Sequence, residues 1–419
     1  MDMPNSDLYD IHIIGGGIIG LTTAVILQSR GIKVALLDAN KVGQGASIGN
    51  AGHIATEQVF PIADASMLRH VPAMLLNPTG PLRLDWRYLP RLLPWAVQLL
   101  LNMRPEPFAR IHQALLNLNQ HSLQAWQDFA NQWQLTDWIE VKGSLLTTEK
   151  LVNLKVLSAH GQRLNNIGVV NEQLTKEALL AREPALQDNQ LGALFFPNTG
   201  HITNLQAVIN QLNHTFRDLG GHVIEQCRVL QAVTGADGIQ LNTNQGDITA
   251  AKVMLSAGAH SKLLAKQLTG INVPLDTERG YHLMLPHEST RLQIPVSSMD
   301  RRFVMTPMQE GLRLAGTVEY AGLDAPANMR RAQILLQHAQ PMLKAPLDST
   351  DSVSWMGFRP STADSLPVID RVERVFLNFG HQHLGLTQAV VSAQMIAKYY
   401  FDEEHAIDPA PYRLARFSK

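Results

Sequence analysis

The chain opens its first ordered pattern at Ile11-His12-Ile13-Ile14, a β-rich run that stops at three consecutive glycines. Ile18 to Ser29 then has helical composition, with Gly31 as its stop. Lys33 to Asp38 is strand-like again. Strand, tight turn, helix and strand within about thirty residues is the order of a nucleotide-binding βαβ unit. From about 60 to 135 the pattern is helical, rich in Leu, Trp and Gln and broken by prolines, and 203–220 reads as one amphipathic helix. Short strands are predicted at 222–231, 238–242, 247–249 and 252–256, separated by turn residues at 235–238 and 244–246. Further β-like runs cover 280–285, 302–306 and 312–318, and 329–343 is helical. A last strand, Val375–Phe379, leads through a glycine-broken turn into a helix from about Thr387 to Tyr400. No internal repeat or low-complexity segment interrupts this order.

Bulk properties narrow the classes. The 419 residues are 45% hydrophobic and 17% charged, with a net charge of −1, so no global field favours nucleic acid. Cys227 is the single cysteine, which excludes an intramolecular disulfide and fits a reducing compartment. The start MDMPNSDLYD lacks the basic end and apolar core of a signal peptide, and a cytoplasmic location is expected. The greasiest stretch, Leu89 to Met103, is interrupted by Pro90, Arg91, Pro94, Gln98 and Asn102 and is too short to span a bilayer. No metal-ligand spacing stands out.

In the glycine turn, Gly15 permits the tight exit from the strand, Gly17 lets backbone approach a pyrophosphate at the helix N-terminus, and Gly20 lets helix and strand pack closely. Asp38, at the end of the second strand, places a carboxylate for ribose hydroxyls and disfavours a 2′-phosphate. This unit alone does not choose between FAD and NAD.

The run Gly43 to His53, with Ser47-Ile48-Gly49-Asn50-Ala51-Gly52 inside it, resembles the Ser-x-x-Asn-Ala-Gly segment of the D-amino acid oxidase-like superfamily of FAD enzymes, bacterial D-amino acid dehydrogenases above all. Four further elements are similar and stand in the family's order: Phe196 to Thr203, Leu255 to Ser261, the Gly-x-Arg-Pro of Gly357-Phe358-Arg359-Pro360, and the turn Gly380 to Thr387. The resemblance implies an α/β (α+β) chain, a Rossmann-like FAD-binding domain plus a substrate domain with a mostly antiparallel sheet and helices. It implies a discontinuous FAD domain, 1–60, 202–262 and 351–419, with 61–201 and 263–350 binding substrate. The implied cofactor contacts are Gly15, Gly17, Ile18, Ile19, Gly20, Asp38, Ala39, Ser47, Asn50, Ala51, Gly52, Val229, Ala257, Gly258, His383, Leu384, Gly385 and Thr387. Backbone N–H groups at the late helix start, Gly385 to Thr387, suit the anionic side of a reduced flavin. Cys227 lies well before the region where relatives attach flavin through cysteine, so FAD is expected to be non-covalent.

An amino acid substrate needs its carboxylate held, and a guanidinium fork does this well. Arg359 is the candidate, with Arg279, Arg301 and Arg302 as alternatives. Tyr281, Tyr320 and His53 are further candidates, each open to a structural reading as a buried tyrosine or a bystander histidine. The implied reaction is oxidative deamination of a D-amino acid or cyclic imino acid to a 2-oxo acid, with a respiratory quinone or other acceptor. An oxygen-using oxidase of glycine, sarcosine, proline or hydroxyproline type is the near rival, and a non-catalytic flavoprotein sensor the distant one. The segment Leu75 to Leu101 mixes apolar, aromatic and basic residues. It either packs over the active site or lies peripherally on the cytoplasmic face of the inner membrane.

Overall fold

A computed structural model describes residues 8–62, 71–77 and 80–418. Its first sheet has six strands in the order His222–Ile224, Val34–Leu37, Ile11–Ile14, Val253–Leu255, Val375–Phe379 and Val368–Val372. Five run parallel and the last pairs antiparallel with its neighbour. Four of these strands are buried along their whole length, because helices cover one face and the strands of 229–250 with the helix Ser261–Thr269 cover the other, which removes the alternation seen in half-solvated sheets. The helices Ile18–Ser29 and Gly385–Tyr400 belong to one core with Leu36, Met254 and Phe376.

The second large sheet has nine strands, mostly antiparallel. Its central pair is Leu275–Leu285 against Gly311–Tyr320, with Val353–Thr362 on the outer side of Leu275–Leu285. Two small three-stranded sheets complete the fold. One is the meander Val229–Thr234, Ile239–Thr243 and Gly246–Ala250, and the other joins His53–Ile54, Gly200–Ile202 and Ile139–Glu140.

Several elements depart from the sequence expectations for clear reasons. The run 222–231 is two strands in two sheets, broken at Gln226 with φ +55°. There the backbone turns so that Gln226 and Cys227 donate to Asn40 and Asp38 carbonyls. The helical region 60–135 also contains a short strand, Leu82–Leu84, beside Val318–Tyr320; its residues 63–70 and 78–79 lie outside the described residues. The domain limits shift as well. Val353–Thr362, placed by sequence with the FAD part, hydrogen-bonds along Leu275–Leu285, so the parallel sheet resumes only at Val368. Conversely, Leu115, Trp126 and Phe129, within 61–201, pack in the core of the parallel sheet, and the Trp126 indole donates to Leu386 O at 2.8 Å.

Candidate active site

The glycine turn is as tight as its spacing requires. Gly15 has φ +107°, and a Cβ on Gly20 would stand 1.9 Å from the Gly15 carbonyl oxygen. Gly16 N–H donates to Asp38 Oδ2 and Asn40 N–H to Asp38 Oδ1, both at 2.7 Å, while burial pushes the carboxyl up from its usual range. The helix Ile18–Ser29 has no cap from its own N-cap residue. Ser47 supplies one from a distant loop, its Oγ accepting from Ile18 N–H at 2.9 Å. Asn50 Oδ1 accepts from Gly52 N–H and closes that loop.

The second sheet grips this loop. Arg313 donates to the carbonyls of Ile48 and Asn50 at 3.0 and 2.6 Å, and His282 Nδ1 lies 3.1 Å from Gly49 O. Trp355 stacks on His282 with ring centres 5.0 Å apart and leaves no room for a side chain at Gly49. Far along the chain, Thr387 Oγ1 accepts from Ala55 N–H at 3.0 Å, so the last helix is tied to the first segment.

One cavity of about 1710 Å³ joins these parts. It exceeds the roughly 300–1,000 Å³ typical of drug-sized sites, leaving room for a long ligand and a second small one. Of the candidate cofactor contacts, Gly15, Gly17, Ile18, Ile19, Asp38, Ala39, Ser47, Asn50, Ala51, Val229, Ala257, Gly258, His383 and Gly385 line it. Gly20, Gly52, Leu384 and Thr387 stand behind that lining, where they pack or hydrogen-bond.

Arg359 faces the cavity from Val353–Thr362, directly across from Glu278. Its guanidinium lies on Gly280, where a Cβ would come within 2.5 Å of Cζ, and Nη1 donates to Thr317 O at 3.3 Å. Thr317 has φ +58°, at an irregularity in the pairing of Leu275–Leu285 with Gly311–Tyr320. Tyr320 donates to Glu278 Oε1 at 3.1 Å. Burial pushes the Glu278 carboxyl up while Arg359 pulls it down, and burial together with Glu278 pushes the Tyr320 hydroxyl well up. Tyr88 donates to Asp276 in the same wall.

The other candidates separate. Tyr281 is fully buried, donating to Glu319 Oε2 at 2.5 Å and accepting from Asn328 N–H. Arg279 is buried beside it, donating to the carbonyls of Gly322, Ala325 and Pro326. Tyr281 lines the cavity, but its hydroxyl is committed to Glu319 and Asn328, and Arg279 is not part of the lining. Arg301 pairs with Glu149 at 2.9 Å, and Arg302 lines the cavity. His53 lines the cavity with Nε2 3.8 Å from Glu57 Oε2; burial pushes the imidazole down to about 4 and the carboxyl up to about 7. His383 is bonded to Gln58 Oε1 at 2.6 Å, and burial pushes it down to about 4.

A family model described as "FAD dependent oxidoreductase" (DAO) matches residues 10–399. The chain belongs to this family. It is 32% identical to a D-amino-acid oxidase of Bradyrhizobium diazoefficiens over 97% of this chain and 98% of the relative. It is 28% identical to D-amino acid dehydrogenase 2 of Ralstonia nicotianae over 97% and 100% of the two chains. A glycine oxidase structure from Geobacillus kaustophilus superposes with a TM-score of 0.77 at 21% identity, covering 97% and 98%.

As a FAD-dependent oxidoreductase the chain offers a fitting cradle: the tight glycine turn, the doubly bonded Asp38 and a cavity long enough to pass from them to Arg359. Sequence reasoning missed Glu278, Asp276, Tyr88, Arg313 and the His282–Trp355 pair. Glu278 and Asp276 were within reach, since period-two alternation from Gly280 puts both on its face. Tyr88 and Arg313 carried no local signal.

Proposed function

We propose that this FAD-dependent oxidoreductase oxidises the α-carbon of a D-amino acid or cyclic imino acid. The product is an imino acid, which water hydrolyses to a 2-oxo acid with release of ammonia or, for a cyclic substrate, with ring opening to the free amine. The two electrons and two protons removed pass through the flavin to a quinone or another acceptor. The observation that carries the reading is Arg359, deep in the protein yet bare to the cavity that also holds the dinucleotide cradle. Among the described residues its side chain makes one hydrogen bond, to Thr317 O, so most of its five N–H donors are left for a substrate carboxylate. The relatives named for D-amino acids, matched along nearly their whole length, support the same class.

Gly15, Gly17, Asp38 and Ser47 would hold the adenosine and pyrophosphate, with Ala51, His53 and the Gly380–Gly385 turn at the ring. When bound, FAD supplies the two-electron acceptor for the C–H bond. Arg359 fixes the carboxylate and so sets which face of the α-carbon is presented. Tyr320 and Glu278 form the wall beside it, and Tyr281 holds Glu319 and the Asn328 loop in place. The neutral imidazoles of His53 and His383 bring no cation to the ring. FAD is held without a covalent bond in this reading, because Cys227, whose backbone N–H donates to Asp38 O, lies at the adenosine end and burial pushes its thiol's pKa up.

Anaerobic mixing with D- and L-amino acids, followed by flavin bleaching, tests the assignment; bleaching by L-enantiomers alone would overturn it. The oxygen-using alternative is favoured by the name of the Bradyrhizobium relative. Stoichiometric hydrogen peroxide in air, without added dye, would decide for it. A quinone acceptor, being confined to lipid, requires the enzyme to reach a membrane surface, and no helix among the described residues is long and apolar enough to cross one.

A further inference from the structure

The helix Leu89–Asn102 is apolar on two faces, although it lies at the surface. Its inner face packs Leu92 and Trp95 against Ala363 and Tyr320, and the Trp95 indole donates to Ser361 O at 2.9 Å. This is the covering role that the sequence allowed. The outer face is different. Leu93, Val97, Leu100 and Leu101 recur at helical spacing and, with Trp86 just ahead, are 46 to 64% exposed. Apolar side chains this large and this contiguous mark an interaction surface.

Charge identifies what the surface meets. Arg83, Arg87, Arg91 and Arg104 are all exposed around the stripe, and Asp85 is the one acidic residue between 80 and 104. The whole chain carries −1, so this positive fringe is local. A second copy of the chain is a poor occupant, because a two-fold contact would set the arginines of both copies against each other. An anionic lipid surface takes leucines and tryptophan into its interface and arginines at its headgroups. The helix is also a wall of the large cavity: Leu99, Leu100 and Met103 line it, and Leu100 is 49% exposed outside.

We propose that Trp86 and the outer face of Leu89–Asn102 dock the enzyme on an anionic bilayer, bringing the cavity mouth beside Leu100 to the lipid, where an apolar electron acceptor enters. The acceptor part rests on the proposed redox function; the docking part does not. The test is sedimentation of the FAD-loaded full chain with phosphatidylcholine vesicles, with and without phosphatidylglycerol. The expected result is binding to the anionic vesicles that weakens with added salt. Replacing Leu93, Val97 and Leu101 together by Gln should weaken binding at least tenfold, and Arg87→Gln with Arg91→Gln should abolish the preference for anionic lipid. Flavin content and turnover with a soluble dye should be unchanged in both variants, since none of these five residues lines the cavity. The proposal falls if the wild type stays in the supernatant with every vesicle, if the triple variant binds equally well, or if the wild type is a dimer that the triple variant converts to monomers. Bleaching by D-amino acids needs no vesicle, so neither failure imitates the other.

Discussion

At the scale of single residues, the proposed site turns on one side chain lying on a position that has none. Arg359 rests on Gly280, and the two share a strand pair in which Glu278 stands opposite the arginine. Arg359→Ala should keep its FAD and lose about 2–5 kcal/mol of transition-state binding, roughly thirtyfold to several thousandfold in kcat/KM. Full turnover in that variant would remove the carboxylate assignment. Gly280→Ala should displace the guanidinium and raise KM for the amino acid about tenfold or more, ~1.4 kcal/mol, with FAD content again unchanged. The place of Arg359 in the cavity wall was legible in sequence because its neighbours Gly357 and Pro360 form a recognisable pattern. Its surroundings were not. Tyr281 and Arg279 drew attention by residue type, but their polar atoms are spent on Glu319 and on the Gly322 and Ala325 carbonyls, while Glu278 just ahead of them faces the cavity beside Arg359.

Among the elements, those that are buried almost throughout were the easiest to read. Ile11–Ile14, the helix Ile18–Ser29 and Val375–Phe379 fall where the pattern put them, since burial on both sides leaves a signal that needs no partner to interpret. The sheet to which a strand belongs leaves no such trace. Val353–Thr362 carries no local alternation that marks it as a strand, and only its pairing with Leu275–Leu285 places it in the second sheet. A similar long-range dependence governs the first helix, whose cap comes from Ser47. Ser47→Ala should lower stability by about 1 kcal/mol, as loss of an N-cap does. Thermal unfolding of the FAD-free protein measures this, and weaker FAD retention should accompany it. An unchanged melting temperature would show that water replaces the hydroxyl at no cost.

The whole molecule holds an unusual store of buried neutral imidazoles. Burial pushes His12, His53 and His201 down to about 4, and His282 and His381 to about 3. Their folded values lie below the unfolded value near 6.5, so the unfolded chain binds more protons across the interval between them. The histidine contribution is therefore complete above about pH 6.5 and falls as the solution is acidified toward 4, by at most about 1.4 kcal/mol per pH unit for each histidine. Glu57, pushed up to about 7, acts in the opposite sense between about 4.5 and 7 and offsets one of the five. Urea midpoints at pH 7 and pH 5 should show the lower value at pH 5; equal midpoints would mean that these side chains reach water. The strand order of the parallel sheet has a consequence for how the protein is made. Ile11–Ile14 leaves the ribosome first, yet one of its two neighbours, Val253–Leu255, is synthesised after more than half of the chain, and the sheet continues only with Val375–Phe379. Until then a strand that is fully buried in the finished protein has an open edge, the kind of surface that holdase chaperones and proteases recognise. Chains arrested after Thr234 should be digested readily around the first helix, whereas the released full-length product should resist.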